Sequence, residues 1–337
     1  SATTYTAGVE YDLRPSAMLY GKFATGYQPG AVALIPQNKT TLKQFTLGLN
    51  FVGDKLNVAT TYHGSLFTNN VKSMSWSNWA VPGNSQTMGS APSNQFHQFA
   101  VTGSYAFTPS TRLTANASYG RGTQNQAFLT DASTPLVPVA SLHGLVVSEA
   151  VNLKLTSRPL KTLQLAAAYK FDDRDNRTPV NTYAYYDAGE LKAGTSVFAG
   201  SFPGLGSNAN INANRPYSKR SHQLSLDADY AVLPGQAIQA GADFQKIDRR
   251  CDGSWIACVD ADQTRETTLR AEWRLNPLAD FNARLSASTA RRSVDYNENA
   301  FLALVPAANL VPTGAPGGAS AYATLVALGL TGYGPVS

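Results

Sequence analysis

Two cysteines, four histidines and one short acidic string are the residues of this 337-residue chain whose types and spacing could do chemistry. Cys251 and Cys258 enclose Asp252 to Ala257. Two thiols without a nearby histidine fall short of the four ligands that a structural zinc takes. In an oxidising compartment the default for such a pair is a disulfide, and one closing so short a ring stabilises by about 2 kcal/mol. A Cys251–Cys258 disulfide is therefore expected. Asp172-Asp173-Arg174-Asp175-Asn176 opens like a calcium loop. An EF-hand also needs Gly at its sixth position and Glu at its twelfth, and this stretch supplies neither. The expectation is an arginine-paired passage from strand to loop, with calcium at a loop base as the alternative. His63, His97, His143 and His222 are scattered and never at ligand spacing. A hydrolase needs Ser, His and an acid converging on one point. Only His63, beside Ser65, approaches that, and it is expected to line a polar surface. No catalytic, cofactor or metal site is expected, and no enzyme.

The elements that carry these residues alternate with period two, the mark of a half-buried strand. Leu224, Leu226, Ala228, Tyr230 and Val232 oppose Gln223, Ser225, Asp227 and Asp229. Ile238, Ala240, Ala242 and Phe244 oppose Gln239, Gly241, Asp243 and Gln245. Leu269, Ala271, Trp273 and Leu275 oppose Thr268, Arg270, Glu272 and Arg274. Similar runs start at Tyr5, Leu19, Phe45, Leu56, Phe99, Leu113, Val147, Leu163 and Phe281. They amount to about twelve strands in six hairpins. Short turns fall near 14–16, 53–54, 108–110, 158–161, 233–236 and 276–279, and long loops at 28–40, 68–94, 124–144, 173–218, 249–263 and 293–337. Short turns at one end and long loops at the other is the outer-membrane arrangement, with the turns periplasmic and the loops outside. Aromatics near strand ends, among them Tyr5, Tyr11, Tyr27, Phe51, Phe107, Tyr119, Phe171, Trp273 and Phe281, suit two interfacial girdles.

Composition agrees. Only 15% of residues are charged, against roughly 25% in soluble domains. Mean hydropathy is nevertheless −0.20. No run approaches the ~20 apolar residues of a spanning helix, so the expected fold is all-β: an antiparallel up-and-down transmembrane β-barrel in the bacterial outer membrane. A soluble sandwich is the runner-up. Charges cannot face lipid cheaply. Lys154, Lys170, Asp227, Asp229, Asp243, Arg270, Glu272, Arg274 and Arg284 are therefore expected to face the lumen. The basic pairs Lys219-Arg220, Arg249-Arg250 and Arg291-Arg292 lie at long-loop ends. A solvated rim is expected there, with outer-membrane lipid and lipopolysaccharide as partners and no nucleic acid, since binding it would require a clustered basic face. The chain starts directly in a strand pattern and closes in a loop-like Gly/Pro-rich tail, so it is expected to be a piece of a larger barrel, one 1–337 segment.

Five strings together resemble one family. They are Arg158 to Pro179, Asn214-Arg-Pro-Tyr-Ser218, Ile247 to Asp260, Thr264 to Trp273 and Asn299 to Pro306. From about residue 145 to 306 the chain resembles the MtrB/PioB family of decahaem-associated outer-membrane barrels. The resemblance implies a barrel that sheathes a periplasmic decahaem c-type cytochrome in an electron conduit, with long loops at which an extracellular multihaem cytochrome could dock. The haem would belong to the partner, because this sequence has no Cys-x-x-Cys-His site. It also lacks the N-terminal Cys-x-x-Cys common in that family. A porin or transport channel is the alternative.

Overall fold

The computed structural model describes residues 4–28, 40–77, 85–129, 137–186, 209–251, 261–278 and 281–296. Twelve strands form one antiparallel sheet. They are β1 (Thr6–Arg14), β2 (Ala17–Gln28), β3 (Thr40–Val52), β4 (Leu56–Asn69), β7 (Asn94–Thr108), β8 (Thr111–Gln124), β9 (Gly144–Leu160), β10 (Leu163–Asn176), β13 (Ser218–Leu233), β14 (Gln236–Arg250), β15 (Ala261–Leu278) and β16 (Phe281–Tyr296). Each pairs with the next sheet strand along the chain, so the order is a simple up-and-down meander. Tight turns join alternate pairs. At one of them Pro234 is followed by Gly235 at φ 77°, the backbone sign that a type II turn needs and that glycine adopts without strain.

Two small hairpins stand apart from the sheet: β5 (Ser73–Ser77) with β6 (Ser85–Gly89), and β11 (Thr182–Tyr186) with β12 (Ala209–Ala213). They fall inside stretches read from sequence as plain long loops, 68–94 and 173–218. Each strand is five residues long, too short for its alternation to stand out. The sheet strands also run further than the sequence pattern indicates. β10 continues to Asn176, β14 to Arg250 and β16 to Tyr296. The hydrophobic alternation stops there because charged residues take over the rungs, while the backbone ladder continues. Of the stretch 293–337, residues 297–337 lie outside those described.

The register places all the apolar runs on one side. Tyr230 sits opposite Ile238, Ile238 opposite Trp273, and Trp273 opposite Leu285. Leu155, Ala167 and Leu226 make a row, as do Leu19, Leu49 and Thr60. A one-residue slip anywhere would turn a strand's apolar set to the other side. Among the described residues nothing covers this side. Val9, Tyr11, Leu47, Phe99, Leu269 and Leu285 are among its exposed large side chains, and Val147 is the one buried hydrophobic residue among those described. Soluble monomers keep apolar patches to a few hundred Å². A twelve-strand apolar face with no second layer is stable only against lipid. The strands suit that role, since eleven residues at ~3.3 Å and about 40° of tilt rise roughly 28 Å.

The two faces should respond oppositely to charge. Leu226→Arg is expected to lower the unfolding free energy in lipid vesicles by about 2–4 kcal/mol. Gln223→Arg, on the polar face of the same strand, should change it by about 0.5 kcal/mol or less. Denaturant titration of the refolded protein in vesicles checks both.

Candidate functional site: an ion-paired polar face

The polar side of β13, β14, β15 and β16 collects charge from residues far apart in sequence. Register places Asp227 opposite Gly241 and Gly241 opposite Arg270. The Arg270 guanidinium therefore reaches from β15 across β14 to Asp227 on β13, at 2.6 Å, and also pairs with Asp243. That crossing spans two strand spacings, roughly 10 Å. It is possible because position 241 has no side chain. A Cβ there would lie 2.6 Å from Arg270 Nε and 2.8 Å from Asp227 Oδ1. One rung away Arg274 pairs with Asp229 and approaches Glu272 at 3.5 Å, while Arg284 reaches the same Glu272 at 3.3 Å. Single half-exposed pairs contribute about 1 kcal/mol or less. Their collective effect is electrostatic: the face carries many charges with little net field.

The other two residues expected on this face stand apart. Lys170 pairs with Asp172, two residues along β10, at 3.2 Å. Lys154 on β9 lies in register between Thr114 and Ala168, away from the arginine clusters. His63 also lies on the polar face, its Nδ1 3.1 Å from Thr46 Oγ1 on the adjacent strand. His97 and His222 lie on the apolar face instead. Their Nδ1 atoms are 3.0 Å from the Tyr62 hydroxyl and 2.9 Å from the Tyr169 hydroxyl.

At the loop end the acidic string is strand, not a metal loop. Asp173 is buried and accepts two hydrogen bonds from Arg220, from Nε at 2.8 Å and Nη2 at 2.5 Å. Asp175 accepts from Arg177 at 2.6 Å and from Arg250 at 2.5 Å. The Asp175 carboxylate raises the Arg177 guanidinium above its ordinary value. The Asn214-to-Ser218 string seats the base of the β11–β12 hairpin. Asn214 Nδ2 donates to the Pro179 carbonyl at 2.9 Å, its Oδ1 accepts from the Asn181 amide at 2.8 Å, and Ser218 Oγ accepts from the Asn176 amide at 2.9 Å. Each basic pair is divided between the two faces, because neighbours on a strand point oppositely. Arg249 donates to Thr264 Oγ1 on the polar side, while Arg250 meets Asp175 on the other. Arg292 pairs with Glu266 at 2.6 Å, and Arg291 points away from it. No basic pair is thus a patch in itself. Lys246 and Arg265, which sequence reasoning passed over, are brought side by side on the apolar face. Only knowledge of the strand register could have found them. Cys251 is disulfide-bonded, and the other cysteine in the sequence, Cys258, lies outside the described residues.

The sequence pattern of one family, described as outer membrane beta-barrel porin, MtrB/PioB, matches residues 7–309. The chain belongs to the MtrB/PioB family. It is an outer-membrane β-barrel protein, and its family is one of porin-like barrels, not of enzymes. It is 26% identical over 256 residues to the outer membrane protein MtrB of Shewanella baltica (strain OS185), covering 75% of this chain and 33% of that protein. The chain thus spans about a third of the length of this curated relative. Among solved structures it is similar to the outer membrane channel DcaP of Acinetobacter baumannii, with 12% identity, TM-score 0.39, and 85% and 62% of the two chains covered. It is also similar to a FadL homologue of Pseudomonas aeruginosa, with 12% identity, TM-score 0.33, and 86% and 70% covered.

The glycine under Arg270 gives a direct test. A double-mutant cycle between Arg270 and Asp227 should yield a coupling of about 0.5–1 kcal/mol in the native background. In a Gly241→Ala background the coupling should fall close to zero. Unfolding titrations of the four variants in each background measure it.

Proposed function

We propose that the polar face lines the barrel lumen, and that the barrel is a sheath holding a multihaem c-type cytochrome to form an electron conduit across the outer membrane. The carrying observation is the self-neutralised wall. A porin that selects small ions uses a net field at a constriction. Here Arg270, Arg274 and Arg284 are absorbed by Asp227, Asp243, Asp229 and Glu272. Such a wall suits a large polar guest. Twelve strands at ~4.8 Å spacing and about 40° of tilt already make roughly 75 Å of wall. With a relative more than twice as long, the intact barrel has room for a folded protein. On this reading Lys154 and Lys170 also face the lumen. The haems belong to the cytochrome, and the barrel supplies insulation and position.

The short turns are placed in the periplasm and the long loops outside, where an extracellular multihaem cytochrome could dock and where lipopolysaccharide surrounds the wall. Cys251 pairs with Cys258 in the loop between β14 and β15. Unreduced, unfolded protein should therefore show no titratable thiol, and two after reduction. Two thiols before reduction would refute the pairing.

The sheath reading predicts that the full-length protein leaves the membrane in mild detergent red, with c-type haem in a separate chain. A colourless protein that conducts ions in planar bilayers would favour the second reading, a porin or transport channel, which the family's description supports.

A further inference from the structure

We propose that Lys246, Arg265 and Arg291 form a binding site for the phosphate groups of an outer-leaflet glycolipid. The three lie on adjacent strands β14, β15 and β16. Lys246 is directly opposite Arg265, and Thr267 is opposite both Phe244 and Arg291. The first pair is therefore about 5 Å apart at Cβ, and Arg265 and Arg291 are diagonal neighbours at about 7 Å. Like charges directly opposite destabilise a sheet. Among the described residues this one is compensated only at Lys246. Lys246 meets only Asp248, at 3.1 Å, and that carboxylate is shared with Gln263 at 2.5 Å. Among the described residues Arg265 and Arg291 have no ion-pair partner. The other acid facing this region, Asp295, lies in register with Gln263, beyond the three cations.

Position identifies the ligand. The cations share the apolar face toward the long-loop end, Lys246 and Arg265 one rung past Phe244 and Arg291 level with it. Acyl chains would lie along Phe244, Leu269 and Leu285, and a headgroup phosphate would then stand level with the three cations. Charge-assisted hydrogen bonds from two guanidinium forks and an ammonium suit a bis-phosphorylated headgroup. At the other end of the apolar band, Trp273, Tyr230 and Val232 are followed by turn residues, with no matching cation cluster among the described residues. The site would mark the long-loop side as the glycolipid leaflet. The inference rests on the outer-membrane placement and not on the cytochrome reading, since it concerns the opposite face.

The test uses full-length protein stripped of lipopolysaccharide in detergent, with bound lipid counted by native mass spectrometry. Bis-phosphorylated lipid A should be retained about tenfold or more over the same lipid with both phosphates removed. The K246Q/R265Q/R291Q variant should lose that preference, and K246R/R265K/R291K should keep it. Millimolar inorganic phosphate should not displace the lipid. Equal retention of the two lipids by the native protein overturns the proposal whether or not the glutamine variant folds. So does a folded glutamine variant that keeps the preference, and displacement by phosphate would reduce the site to a free-anion site.

Discussion

A bilayer offers no hydrogen bonds to a backbone, and that constraint governs this molecule. Every amide and carbonyl at membrane depth must find its partner on a neighbouring strand. The continuous antiparallel ladder from β1 to β16 supplies those partners without a packed core among the described residues. Once the ladder fixes the register, period two sorts the side chains. Leu226 goes to lipid and Asp227 to the other side because they are adjacent, not because of any further interaction. The absence of fully buried large side chains among the described residues is thus the expected economy of a wall one strand thick.

The same register explains how so many charges are tolerated. Arg270 meets Asp227 from two strands away because Gly241 leaves the intervening strand bare at that point. Arg274 and Arg284 share Glu272 in the next rung. Where the pattern of apolar residues ends, arginine–aspartate pairs such as Arg220–Asp173 and Arg250–Asp175 hold the strand ends together. Asparagine and serine side chains then take over at the hairpin bases, where Asn176, Ser218, Asn181 and Asn214 replace ladder bonds with side-chain bonds. A strand end rich in charge reads as a loop in sequence, yet it is one of the better-tied parts of the sheet.

What was legible in the sequence was whatever repeats with period two. Leu224 to Val232 and Ile238 to Phe244 announce their faces in one dimension, and Pro234-Gly235 announces the turn between them. Which charges touch was not legible, because contact depends on register between strands. Nothing in the sequence near position 241 says that its glycine sits beneath an arginine 29 residues on. Lys246, Arg265 and Arg291 look unrelated along the chain and become neighbours only across β14, β15 and β16. Conversely, Lys219-Arg220 and Arg249-Arg250 look like patches and are divided between faces. The short strands β5, β6, β11 and β12 were hidden by their length.

One face of this sheet meets lipid and the other meets water or a polar guest. Nitroxide labels placed singly at positions 223 to 230 of β13, with the protein reconstituted in vesicles, test it most directly. Collision rates with oxygen and with a water-soluble nickel chelate should each alternate with period two and in opposite phase, oxygen high at the even positions and nickel high at the odd ones. Nickel accessibility that is high and equal at both sets of positions would rule out a lipid-facing side.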